Sequence, residues 1–166
     1  MTAAFLATGI SALLLLAAWH DVATRLIPDS ISIAIAVLAV LWRASLGGHA
    51  LLTSAATAIL VFAALLVLCM RGFLGGADVK LAAAVALALP PAMVPDFVLA
   101  TTLLGGLLGL AYAAKPQLGP HGPVGTNLLR RVFVAEARRL RRGGPLPYCV
   151  AIAGGGILTL ISGSGS

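Results

Sequence analysis

The sequence predicts an all-α protein, a polytopic bundle of about six transmembrane helices with a cationic interfacial helix between the last two. Three observations carry this. Of 166 residues, 60% are hydrophobic and 10% charged, with a mean hydropathy of +1.07, whereas a soluble domain is about 25% charged. Uncharged stretches recur at lengths near the roughly 20 residues that a crossing helix needs. No segment of about ten residues alternates apolar and polar side chains as a membrane strand does, and only helices and closed barrels satisfy their backbone in lipid.

The elements follow in order. Residues 2–19 carry no charge. No Lys or Arg precedes their apolar stretch, so they are expected to remain as a helix rather than to be removed as a signal. Residues 30–46 are interrupted only by Arg43, near enough to the helix end to snorkel towards headgroups. Residues 51–70 and 97–114 are uncharged throughout; 81–95 and 146–161 are uncharged but shorter. Gly105 and Gly109 give the fifth segment a Gly-x-x-x-Gly spacing, which permits close helix approach.

Between the last two segments lies a basic loop, 115–147. Its flanks, 116–125 and 143–147, are rich in Gly and Pro and read as irregular. Leu129, Val132, Phe133, Ala137 and Leu140 recur at helical spacing with arginines among them. That pattern suits a cationic helix lying on anionic lipid. Nucleic-acid binding is disfavoured, because the run adjoins membrane and lacks a reading motif. No repeat or second domain interrupts residues 1–166, which read as one membrane-embedded domain.

Charge orients the bundle. The connections after the first, third and fifth segments share one side and hold Arg25, Arg71, Lys80, Lys115, Arg130, Arg131, Arg138, Arg139, Arg141 and Arg142. Arg43 alone falls on the other side. The positive-inside rule makes the crowded side cytoplasmic and sets both termini outside. The whole net charge of +6 resides in 115–147, since four basic residues and four aspartates balance elsewhere.

The chain has only five acids. Asp96 is expected in an outer loop and Glu136 in the basic segment, while Asp29, after Pro28, is expected to cap the second helix. Asp21 and Asp78 differ, because both fall at cytoplasmic ends of apolar segments, at one membrane depth. Two carboxyls within hydrogen-bond reach share a proton near neutral pH. The ionised one can then draw a proton from water while the neutral one donates to a carbonyl oxygen, so the pair, rather than either residue, titrates. Residues alone leave two other readings open. The acids could cap helices or pair with Arg25 or Lys80, or they could carry a proton or cation through a small transporter. Against transport, both acids sit at one rim, and no inverted repeat appears.

Cys69 and Cys149 are far apart in sequence and form no Cys-x-x-Cys pair, so they read as buried, inert thiols. His20 beside Asp21 has no second histidine at ligand spacing, and neither a metal nor a cofactor is expected.

Three blocks nevertheless resemble a known family. "GGADVKLAAA" around Asp78 resembles the Gly-x-Gly-Asp-x-Lys-Leu signature of type IV prepilin peptidases, and "DVATRLIPDSIS" from Asp21 resembles their first catalytic block. "GPLPYCVAIAGGG", residues 144–156, is similar to the segment that opens their last helix. The short form is closest to the peptidases of tight-adherence (Flp-type) pilus systems. The resemblance implies a bacterial inner-membrane aspartic endopeptidase with Asp21 and Asp78 as catalytic pair. It would remove the short basic leader of a prepilin or pseudopilin at the cytoplasmic face. Gly75, Gly76, Ala77, Lys80 and Arg25 would support the site. Methyltransferase activity is not expected, because the four-cysteine insert of bifunctional relatives is missing. Ala77 stands where the family usually has a second Gly, and an Ala fits a positive-φ turn poorly.

Overall fold

The structure, a computed structural model, describes residues 2–24, 28–114 and 148–164. Arg25 and the basic loop 115–147, with its expected interfacial helix, lie outside these. The described residues form six α-helices and no strand: α1 (Thr2–Thr24), α2 (Asp29–Ser45), α3 (Gly48–Met70), α4 (Gly76–Ala88), α5 (Val94–Ala114) and α6 (Tyr148–Ser164). A 3₁₀ turn, Pro91–Met93, precedes α5. Phe5–Thr24, Gly48–Met70 and Pro91–Leu110 are each long and apolar enough to cross a membrane. At about 1.5 Å per residue, the 17 residues of α2 reach about 26 Å and the 13 of α4 only about 20 Å.

The shortest helix is the central one. α4 packs against α2, α3 and α6, while α1 packs on α2 and α6, and α5 on α6. Most of α4 is buried, and its alanines (Ala82, Ala84, Ala86 and Ala88) let neighbours approach closely. Its C-terminal end is set by Pro90 and Pro91. A residue before proline is driven out of the helical region, and Leu89 and Pro90 are extended, with ψ of 147° and 148°. The Leu89 carbonyl freed there accepts a 2.9 Å hydrogen bond from the buried Ser54 hydroxyl of α3, so no orphan acceptor faces the apolar core. The fourth segment therefore ends at Ala88 rather than near residue 95. Asp96, expected in a loop, lies in the first turn of α5.

α3 ends differently. Gly72, at φ 80°, receives the chain after Arg71, and the Gly72 and Phe73 N–H groups donate to the Cys69 and Leu68 carbonyls at 2.9 and 3.0 Å. This pair of bonds is the Schellman arrangement that stops a helix at a left-handed glycine.

Two expectations are corrected. Asp29 does not cap α2: Pro28 occupies the cap position and no side chain caps the helix. Arg43 does not snorkel. It continues the inward stripe of Ile31, Ile35 and Ala39, is 8% exposed, and its Nε is buried without a hydrogen-bond partner.

Glycines on α6 set the closest packing. A Cβ at Gly155 would stand 2.8 Å from the Thr101 backbone nitrogen and 3.0 Å from its Cα. Gly105 of the Gly-x-x-x-Gly pair meets Ala151 at an ordinary 3.6 Å, so the tight contact lies one turn further on. Gly155→Ala must push α5 away and is expected to destabilise the bundle by about 1–3 kcal/mol. Gly105→Ala is expected to be nearly neutral, and thermal unfolding of the two variants in detergent compares them.

Candidate active site

The α1 residues Ile10, Leu14, Ala17 and Asp21 form one buried stripe at helical spacing. Asp21 ends it, in the last turn but one, and is 7% exposed. A carboxylate near the C-terminus of its own helix is disfavoured by the helix dipole. The compensation comes from another helix: the Cys149 N–H, in the first turn of α6, donates to Asp21 Oδ2 at 3.2 Å. The donor is one of the N–H groups that a helix start leaves without an internal partner.

Asp78 stands in the first turn of α4, three residues after the cap residue Gly75. Its stripe continues through Ala82, Val85 and Leu89, all buried. A Cβ at Gly75 would come within 3.0 Å of Asp78 Oδ2. A side chain at Gly75 would therefore crowd the carboxylate, whereas the backbone there, extended at φ −78°, makes no demand for glycine. Ala77 is helical, and only Gly47 and Gly72 have positive φ among the described residues. The Gly-to-Ala difference before Asp78 therefore imposes no strained turn.

One register brings the acids together. A Cβ on Gly156 of α6 would meet Leu14 of α1 and Val85 of α4. Seven residues towards the end of the bundle where α6 starts, two helical turns away, stand Asp21 on α1, Asp78 on α4 and Cys149 on α6. α1 runs antiparallel to α6, and α4 parallel to it, so all three occupy one layer. The charges of Asp21 and Asp78 both reach the Cys149 thiol. Two acids separated in sequence by two helices, α2 and α3, thus converge on the start of α6.

The remaining expected site residues divide. Gly76 and Ala77 open α4 beside Asp78. Lys80 points the other way, and its Nζ donates to both carboxylate oxygens of Asp29 at 2.9 Å. Arg25 lies outside the described residues. His20 is half-buried on α1 next to Asp21. Among the described residues, no group of three His, Cys, Asp or Glu side chains is arranged to hold a metal. Cys149, read from the sequence as an inert thiol, enters the site through its backbone. The proline-rich approach "GPLPYC" to an apolar run was the available signal for a helix start there.

The Type IV leader peptidase family matches residues 8–110, which include Asp21 and Asp78. No curated protein and no solved structure matches the chain.

The Lys80–Asp29 pair ties α4 to α2 with side chains 52% and 61% exposed. Solvent-accessible pairs of this kind contribute little. A double-mutant cycle with Lys80→Gln and Asp29→Asn, read by thermal unfolding, is expected to give a coupling of at most about 1 kcal/mol.

Proposed function

The chain belongs to the Type IV leader peptidase family, and from that membership we propose that it is a membrane-embedded aspartic endopeptidase cutting prepilins or pseudopilins. The observation that carries the reading is the shared layer of Asp21, Asp78 and Cys149 against the start of α6. The substrate's apolar helix packs laterally against the bundle and leaves its short basic leader at the cytoplasmic rim. The charge asymmetry of the connections supports that side. The short form, without a cysteine-bearing insert, favours the tight-adherence class and peptidase activity alone.

The chemistry needs only the pair and a water molecule. The ionised carboxyl removes a proton from water as its oxygen attacks the carbonyl carbon of the residue that ends the leader. The neutral carboxyl donates its proton to the carbonyl oxygen, giving a neutral tetrahedral intermediate. Collapse returns the proton from that oxygen to a carboxylate, and the other carboxyl protonates the leaving amine. The C–N bond breaks, and the pair ends with the single shared proton it began with. The Cys149 N–H helps to hold the Asp21 carboxylate oriented throughout.

Transport by the same acids finds no support in the family. It also lacks the midplane site that a carrier uses.

Two outcomes follow. With a prepilin co-expressed and leader removal followed by mass, Asp21→Asn and Asp78→Asn are each expected to abolish cleavage while both variants still insert; cleavage by either would remove that residue from the pair. Cys149→Ala keeps the backbone donor and is expected to cut nearly as wild type. Cys149→Pro removes the donor at a first-turn position where a helix tolerates proline. It is expected to lose about 10–100-fold in rate, the equivalent of a hydrogen bond to a charged group.

A further inference from the structure

α4 has a second face that the two acids do not use. At about 100° per residue, Lys80, Ala83, Ala84 and Leu87 form a stripe centred roughly 160° from Asp78. That stripe floors a groove of about 510 Å³ between α2 and α3, whose walls include Ala36, Ala58, Ile59 and Phe62. On each helix the lining residues span a rise of seven residues, so the groove runs about 11 Å. The walls are apolar except for Ser32 and for one end, where Asp29 and Lys80 form the mouth.

The occupant is constrained from three directions. A substrate helix docked here would have α4 between it and Asp78, so the groove lies behind the site and not on the way into it. Its alanine floor and apolar walls suit an acyl chain. The mouth then supplies the polar end. Lys80 spends two of its three N–H groups on Asp29, and each carboxylate oxygen keeps a free lone pair. A cation and an anion, fixed side by side and open to solvent, complement a headgroup that carries a phosphate beside a primary ammonium.

We propose that this groove binds one zwitterionic phospholipid, with an acyl chain on the alanine floor, its phosphate on Lys80 and its ammonium on Asp29. The lipid props α4 from behind, on the face opposite Asp78. Binding does not depend on the peptidase reading, and its test requires no cleavage.

The full chain, purified in detergent, is mixed with equal amounts of phosphatidylethanolamine and phosphatidylglycerol, and retained lipid is counted by native mass spectrometry. One phosphatidylethanolamine is expected per chain, preferred about tenfold, which corresponds to about 1.4 kcal/mol. Ala83→Phe fills the floor and is expected to abolish retention while the thermal transition persists. Should that variant not fold, Ala36→Leu fills the groove from the α2 wall with the same expectation. The Asp29→Asn, Lys80→Gln double variant is expected to lose the preference. Equal retention of both lipids by the wild type, or undiminished retention by a folded groove-filling variant, would mean annular lipid only and overturn the proposal. Displacement of the lipid by a prepilin's apolar segment would assign the groove to substrate, and would overturn it too.

Discussion

Gly156 offers no side chain where α6 passes α1 and α4. A Cβ there would stand 3.1 Å from Leu14 Cδ1 and 3.1 Å from Val85 Cγ1. This contact fixes the register of three helices at once, because both neighbours must settle over the same residue. Close packing of this kind substitutes in lipid for the hydrophobic driving force that assembles helices in water. Everything at the end where α6 starts inherits that register. Asp21 and Asp78 come level with Cys149 because each is two turns from its own contact with Gly156. The acids need no local loop to bring them together, since rigid helices do so.

α4 carries the second constraint, its length. A helix of 13 residues is too short to span the apolar core of a bilayer of about 30 Å, so it is stable only when other helices enclose it. Enclosure gives it two unlike faces. The stripe with Asp78 looks to α1 and α6, and the stripe with Lys80 looks to the gap between α2 and α3. The polar groups at its ends are handled in kind. Asp78 sits at the N-terminal end, where the dipole favours an acid, and Ser54 satisfies the Leu89 carbonyl near the other end. Asp21 has no such help from its own helix and takes it from α6.

Much of this was legible in the residues. Hydropathy gave the helices and their order, because an uncharged run near lipid has few alternatives. The exceptional cost of acids at a membrane border singled out Asp21 and Asp78. What hydropathy could not resolve was everything decided by packing. Arg43 near a helix end reads as a snorkelling side chain, yet its place on the Ile31–Ile35–Ala39 stripe turns it inward. Asp29 after a proline reads as a cap, yet Lys80 from α4 claims its carboxylate. The double proline at residues 90 and 91 was visible and marks where α4 stops; apolar continuity to residue 95 concealed it. Gly75 was expected to support the site, and a side chain there would crowd the Asp78 carboxylate. Cys149 contributes a backbone N–H, a role that leaves no trace in side-chain identity.

The central claim is that Asp21 and Asp78 meet in one layer, and cross-linking in membranes tests it most directly. In a chain with Cys69 and Cys149 replaced by Ala, Asp21→Cys with Asp78→Cys is treated with a short bifunctional thiol reagent. The exposed pair Asp29→Cys with Lys80→Cys, in contact by an ion pair of 2.9 Å in the native chain, serves as the control. The account predicts an intramolecular link in both chains. A link at 29 and 80 with none at 21 and 78, while both introduced thiols at 21 and 78 still react with a monofunctional reagent, would contradict it.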